Sequence, residues 1–340
     1  MNLQQRKDLL ERLGQYLNGH EPDWQHAKQK AFTENRWFIP EFIEHSARSI
    51  AANYLAPGQL QKLISTYQIP DQNHAPKKVG IVMAGNIPMV GFHDMLCVFL
   101  TGNIAVIKPS SKDQVLIKHL VSKMIDWNEN AAEYFIISER LKGCDAYIAT
   151  GSNNSSRYFE YYFSQYPSII RRNRTSIAIL RGNETKEELE KLADDVYLYF
   201  GLGCRSISKI YVPEGYDFVP LLEAFRKYDH LAQHHKYKNN YDYNLAIHIL
   251  NNKFYMTNDS IVLVEDKSLF SPISQLNYEY YQDAERIKSE LNKDNQVQCI
   301  VDSRDGMGKS QNPGVCDFAD GVDTMSFLMK LTAQEEVRRP

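Results

Sequence analysis

The chain has 340 residues, with 39 Lys and Arg against 42 Asp and Glu and a formal net charge of −3 at pH 7. That length allows about two domains, 43% hydrophobic content supports a large core, and the balanced charge excludes a general nucleic-acid binder. There is no run of ~18 apolar residues and no apolar signal centre in the charged start "MNLQQRKDLLERLGQYLNG", which predicts a cytoplasmic protein with no membrane span.

Residues 1–75 read as helices broken at Gly19-His20-Glu21-Pro22 and Ala56-Pro57-Gly58. From Lys77 the pattern changes. "KVGIVMA" is an apolar run of buried-strand length, followed by Gly85-Asn86-Ile87-Pro88 and a helical stretch through "MVGFHDMLCVFL". "NIAVIKPS" is a second strand, and "KDQVLIKHLVSKMIDW" a second helix with 3.6-residue spacing. "EYFIIS" and "DAYIAT" add short apolar runs. Strands alternating with helices predict parallel βαβ units in an open α/β sheet. Further on, "SIAILRGNETKEELEKLADDVYLYF" combines a strand and a helix that ends at Gly201-Leu202-Gly203; Cys204 follows, then a β-branched stretch. No internal repeat or low-complexity segment is present.

Ligands of open α/β sheets gather at the carboxyl ends of strands. Three polar clusters fall at such ends: Asn86 just past "GIVMAG", Lys108-Pro109-Ser110-Ser111 after "NIAVI", and Thr150-Gly151-Ser152 with the following Asn and Ser residues after "DAYIA". Small residues there let backbone N–H groups approach a phosphate. Ordinary turn and N-cap chemistry uses the same residues. The usual dinucleotide fingerprint G-x-G-x-x-G is absent.

The five cysteines, Cys97, Cys144, Cys204, Cys299 and Cys316, are odd in number and widely spaced, which argues against a disulfide framework or a zinc site. Cys97 and Cys299 sit in apolar runs and read as small buried hydrophobes. Cys204 differs: glycines precede it and Arg205-Ser206 follows, so packing and reactivity both stay open from local sequence. The segment from His234 to Asn244, rich in Lys, Asn and Tyr, reads either as an exposed loop or as the lining of a ligand entrance. Its paired histidines lack a third ligand at useful spacing, so no metal is expected. His93 reads as structural.

Together and in order, the clusters resemble the aldehyde dehydrogenase superfamily, and within it the acyl-CoA reductase branch, the fatty-acid reductase component of bacterial luciferase systems. The family's Pro-Trp-Asn-x-Pro reads Ala84-Gly85-Asn86-Ile87-Pro88 here, with the tryptophan lost. Its Gly-Asn-x-x-x-x-Lys-Pro-Ser-Glu runs from Gly102-Asn103 to Lys108-Pro109-Ser110-Ser111, with Ser111 replacing glutamate. Its Phe-Thr-Gly-Ser is Ala149-Thr150-Gly151-Ser152, and its Gly-Gln-x-Cys nucleophile turn is Gly201-Leu202-Gly203-Cys204, followed at family spacing by Lys209 and Val212. Two glutamates are missing. Where hydrolytic members carry the glutamate that activates water, this chain has Ile170, and the Glu-x-Phe-Gly-Pro that holds the nicotinamide ribose corresponds to Ser268-Leu269-Phe270-Ser271-Pro272. The resemblance covers residues 78–301, and no counterpart of the family's oligomerisation hairpin is visible.

The resemblance implies a Rossmann-type nucleotide-binding domain interleaved with an α/β catalytic domain. We expect residues 1–172 to form a helical start plus the dinucleotide-binding domain, residues 173–325 the catalytic domain, and residues 326–340 a tail. It further implies Cys204 as nucleophile, with the Asn86 carboxamide and the Cys204 backbone N–H steadying the oxyanion, and Lys108, Ser110, Ser111, Thr150, Gly151 and Ser152 as cofactor-binding residues. Arg205, Arg171, Arg172 and Arg174 are candidates to lower the thiol pKa. A hydroxyl at Ser111 followed by Lys112 suits a 2′-phosphate, hence NADPH over NADH. The implied activity is NADPH-dependent reduction of an acyl thioester, on coenzyme A or an acyl-carrier protein, to an aldehyde. Rival expectations are a cysteine acyltransferase or thioesterase without redox chemistry, a non-acylating aldehyde dehydrogenase, and a non-catalytic binding subunit. A homo-oligomer is compatible with the sequence.

Overall fold

The structure, a computed structural model, describes residues 1–303 and 306–336. Two compact units divide it. One holds Met1–Asn173 together with the described residues from Gly314 on, and the other is Arg174–Pro313.

The first unit opens with four helices, α1 (Leu3–Leu17), α2 (Pro22–Glu34), α3 (Pro40–Asn53) and α4 (Pro57–Tyr67). Their starts follow from local chemistry. Asn2 and Gln5 form a reciprocal capping box at α1, and proline opens each of the other three, where its missing N–H removes nothing. The chain then alternates β1 (Lys78–Val82), α5 (Phe92–Leu100), β2 (Ile104–Lys108), α6 (Gln114–Trp127), β3 (Phe135–Ile137), β4 (Ala146–Thr150), α7 (Asn153–Phe163) and β5 (Ser168–Arg171).

All five strands are parallel, in the order β3-β2-β1-β4-β5. The chain moves outward from β1 through β2 to β3, then returns past β1 to β4, so the order reverses between β1 and β4. Period-two alternation sends Ala105 and Ile107 into the large core shared with the amino-terminal helices, while Val106 faces Tyr147 and Cys144. Tyr147 stacks on Phe163 of α7 with centroids 4.0 Å apart. The α/β architecture read from the sequence is borne out.

The second unit contains β6 (Thr175–Ile179), α8 (Lys186–Tyr197), β7 (Ile207–Pro213), α9 (Val219–Phe225), α10 (His235–Leu250), β8 (Met256–Thr257), β9 (Val262–Glu265), β10 (Gln275–Tyr281), α11 (Ala284–Leu291) and β11 (Val297–Asp302). Its sheet runs β11-β6-β7-β10-β9-β8, parallel except for the β8–β9 pair. Lys209 on β7 is fully buried and pairs with Glu279 Oε2 at 2.5 Å on the neighbouring strand. Residues 234–244, an exposed loop on one of the two sequence readings, instead enter α10 at His235. Its buried stripe is Tyr237, Tyr241, Asn244 and His248, a helical spacing built from polar and aromatic residues.

α12 (Thr324–Glu336) follows. The sequence boundaries put residues 314–325 with the catalytic domain, but Val315, Phe318, Met325, Leu328 and Leu331 join the core of the first unit. His93 anchors this return: its Nε2 meets the Val315 carbonyl oxygen at 3.0 Å and its ring stacks against Phe318 and Tyr54. Of the tail expected from residue 326, the stretch to 336 is therefore helical, and residues 337–340 lie outside the described residues.

Candidate active site

In the first unit, the parallel register brings the polar clusters to one edge of the sheet. Val82 lies opposite Lys108 on one side and Ala149 on the other, and Thr150 opposite Arg171. Beyond these ends come Asn86, Ser110-Ser111 and Gly151-Ser152, at the place where strand order reverses, the usual ligand crevice of open α/β sheets. The approach is close: a Cβ on Gly85 would lie 2.5 Å from Ser110 Oγ, and one on Gly151 would lie 2.8 Å from the Phe159 ring.

Local bonds account for part of this chemistry. Ser110 Oγ accepts from Lys112 N (3.3 Å), and Ser152 Oγ caps α7 by accepting from Ser155 N (3.3 Å). Lys108, Ser111, Lys112 and Ser152 are exposed, while Asn86 and Thr150 are half-buried. The turn carrying Asn86 is held by two residues that sequence reasoning missed. Asp113 Oδ2 accepts from Met89 N at 2.6 Å, with Met89 in the left-handed region at φ 56°, and Ser46 Oγ donates to the Pro88 carbonyl at 2.8 Å. Burial drives the Asp113 carboxyl pKa well upward, opposed by the hydrogen bond from Met89 N.

Arg171 is committed to a carboxylate. It is buried in a two-point pair with Asp94, Nη1 to Oδ2 at 2.5 Å and Nη2 to Oδ1 at 2.8 Å, and Nη2 also donates to Thr324 Oγ1 at 2.9 Å. Arg172 pairs with Glu160. Ile170, at the position of the missing glutamate, lies on β5.

In the second unit, α8 ends at Tyr197 and a turn carries the chain to β7. Tyr199 (φ 58°), Phe200 (φ 56°) and Gly201 (φ 72°) are all left-handed, a conformation that bulky side chains rarely adopt. Burial of both rings holds them there, with Phe200 against His234 and Tyr237. Cys204 follows, half-exposed. Ser206 N donates to Gly203 O at 3.0 Å, and Ser176 Oγ donates to Cys204 O at 3.0 Å, so the peptide groups on both sides of Cys204 are oriented.

Cys299 departs from expectation. It is half-exposed, and its Sγ lies 3.0 Å from Ser176 Oγ, the hydroxyl that also reaches Cys204 O. Burial pushes its thiol pKa up, opposed by Ser176 and by the charge of Arg205. Arg205 thus acts on Cys299, and Arg174 Nη1 donates to Val297 O (3.3 Å).

Sequence reasoning also missed the groups behind the turn. Asp195, fully buried on α8, accepts from Gly308 N (2.7 Å), Ser310 N (3.0 Å) and Ser310 Oγ (2.6 Å). Its burial raises the carboxyl pKa to about 6. The available signal was an acid inside the apolar stripe Leu189, Leu192, Ala193, Val196; a buried charge demands partners. Among the described residues, no three His, Cys, Asp or Glu side chains gather to hold a metal, and no helix is long and apolar enough to cross a membrane.

Residues 71–225 match the family model described as acyl-CoA reductase (LuxC). This segment is LuxC-like. The LuxC-like segment contains Asn86, the Lys108 and Thr150 strand ends, and Cys204. A curated relative, the long-chain acyl-protein thioester reductase of Aliivibrio fischeri, is 27% identical over 153 residues, covering 40% of this chain and 32% of that protein. The chain thus spans about a third of the length of the curated relative it matches.

Solved structures show the aldehyde dehydrogenase fold. Aldehyde dehydrogenase 21 of Physcomitrella patens, in complex with succinate, is similar with a TM-score of 0.67 at 14% identity, over 97% of this chain and 84% of that one. An acetylating aldehyde dehydrogenase from Geobacillus thermoglucosidasius gives 0.63 at 11% identity, over 96% and 90%. The indole-3-acetaldehyde dehydrogenase AldA of P. syringae, solved with NAD+, gives 0.64 at 12% identity, over 89% and 77%.

Proposed function

We propose that this protein reduces an acyl thioester, carried on coenzyme A or on a carrier protein, to the aldehyde, with NADPH as reductant and Cys204 as nucleophile. The observation that carries the reading is that one segment matching the acyl-CoA reductase family holds both the strand-end clusters and the constrained cysteine turn. The residues at those strand ends fit a dinucleotide phosphate. Gly85 and Gly151 leave no room for a side chain, and the exposed hydroxyls of Ser111 and Ser152, with the Lys108 and Lys112 ammonium groups, present donors and positive charge. Lys108, Ser110, Ser111, Thr150, Gly151 and Ser152 would hold the cofactor, and Ser111-Lys112 in place of a carboxylate favours the 2′-phosphate of NADPH.

When bound, NADPH supplies hydride. Cys204 as thiolate attacks the acyl carbonyl, and the carrier thiol leaves with a proton, which places the acyl group on Sγ. Asn86 is proposed as the carboxamide that donates to the oxyanion, in the role the aldehyde dehydrogenase resemblance assigns it; loss of one such donor costs about 10²–10³ in rate. After reduction, the C–S bond of the thiohemiacetal on Cys204 breaks, the aldehyde leaves and the thiol is regenerated. Ile170 offers no general base to deliver water to the acyl-enzyme, which favours reduction over hydrolysis.

The test is incubation with a panel of acyl-CoAs and NADPH, following loss of NADPH absorbance and the mass of the peptide carrying Cys204. The expected result is NADPH consumption with an acyl adduct on Cys204, abolished in Cys204→Ala while NADPH still binds. Full turnover by Cys204→Ala refutes the mechanism. Acylation without NADPH consumption favours an acyltransferase, and aldehyde oxidation without coenzyme A favours a non-acylating dehydrogenase.

A further inference from the structure

The turn that presents Cys204 contains three left-handed residues in succession, two of them aromatic. For the two aromatic residues such backbone persists only where the surroundings over-determine it. The ring packing of Tyr199 and Phe200 fixes the first half of the turn. The second half, Gly203 to Ser206, must be held by something else.

It is held from residue 311. The Ser206 hydroxyl, buried at 1% exposure, accepts from Gly203 N (3.2 Å) and from Gln311 Nε2 (3.2 Å). Gln311, also buried, directs the same nitrogen to the carbonyl of Asp195 (3.4 Å). Asp195 O and Ser206 Oγ bracket the whole excursion from the end of α8 to the start of β7. A hydroxyl has two acceptor lone pairs and a freely turning O–H. With one lone pair fixed by Gln311, the other is aimed at Gly203 N. The loop bearing Gln311 is in turn secured to α8 by the bonds from Gly308 and Ser310 to Asp195.

We propose that Gln311 is a positioning residue for Cys204: its carboxamide staples the end of α8 to Ser206 and so holds the nucleophile turn in its attacking conformation. This deepens the proposed role of Cys204 and rests on it. Gln311 touches no reacting atom; it acts through Ser206 and the Gly203 amide.

The test compares wild type with Gln311→Ala, the near-isosteric Gln311→Glu, which keeps volume but loses the donor, and Ser206→Ala. Two readouts are taken on folded protein: kcat and KM for an acyl-CoA with NADPH, and the rate of iodoacetamide alkylation at Cys204 over about pH 6–9.5, resolved by mass spectrometry. We expect kcat to fall about tenfold with KM within about twofold, as loss of one buried hydrogen bond implies. The alkylation profile at Cys204 should change while that at Cys316 does not. Gln311→Ala combined with Ser206→Ala should be no worse than the more affected single variant, because both act through one path. Should Gln311→Ala fail to fold, Gln311→Glu and Ser206→Ala carry the same readouts. Unchanged kcat and an unchanged Cys204 profile in the folded variants overturn the proposal. If wild type reduces no acyl-CoA, the functional reading fails, and the alkylation profile still decides whether Gln311 governs Cys204.

Discussion

Arg171→Met should strongly destabilise the first unit. Arg171 and Asp94 are 4% and 8% exposed and meet through two parallel hydrogen bonds. Removing the guanidinium leaves a carboxylate in the core with no counter-charge and costs about 3–5 kcal/mol. At a urea m-value of about 2–3 kcal/mol/M, the unfolding midpoint falls by about 1–2.5 M. The assay is available without labelling: Trp24, Trp37 and Trp127, the chain's 3 tryptophans, all lie in the first unit, so their fluorescence follows that unit alone. Arg171 Nε is buried without a partner among the described residues, so the pair is incompletely compensated. Replacing both partners, Asp94→Leu with Arg171→Met, should therefore recover most of the loss. A midpoint drop below about 0.3 M in Arg171→Met, or a double variant no better than the single, refutes the argument.

Two further outcomes follow from the same kind of reasoning. Because burial raises the Asp195 pKa from 3.8 to about 6, its ionised form is disfavoured in the fold. Its contribution is full below pH 3.8 and lost as pH rises through 6. Lowering the pH from 7 to 5 should then raise the amide-exchange protection factors, which are corrected for the intrinsic pH dependence of exchange, around α8 and residues 306–311, by a stability gain on the order of 1 kcal/mol. Asp195→Asn should flatten that dependence, and an unchanged dependence contradicts it. Gly85→Ala places a methyl 2.5 Å from Ser110 Oγ and should weaken NADPH binding about tenfold or more by calorimetry; wild-type affinity would mean that this edge does not hold the cofactor.

How far the sequence goes depends on burial. The strands "KVGIV", "IAVIK" and "AYIAT" are continuous apolar runs because helices cover both faces of a parallel sheet, and that pattern is legible residue by residue. α10 is not, since its inward stripe of Tyr237, Tyr241, Asn244 and His248 carries no aliphatic signal, and its contacts, such as Asn244 to Ile273 O, are specific hydrogen bonds. Asn86 and Cys204 stand out by motif alone. Gln311 could not: it reaches Ser206 across 105 residues from an irregular loop, and no local periodicity encodes a pairing of that kind. Cys299 misleads for a related reason, because its apolar neighbours in "VQCIV" do not reveal that Ser176 and Arg205 face it.

The return of the chain to its first unit sets an order of assembly during synthesis. Arg174–Pro313 is one uninterrupted stretch, and all the strands of its sheet lie within it. The earlier segment must wait longer: Asp94 and Arg171 emerge well before Thr324, and the pocket later filled by Val315, Phe318, Met325 and Leu328 stays open until the whole insert has been made. The stretch translated second therefore holds all its strands before the first unit has received its last core residues.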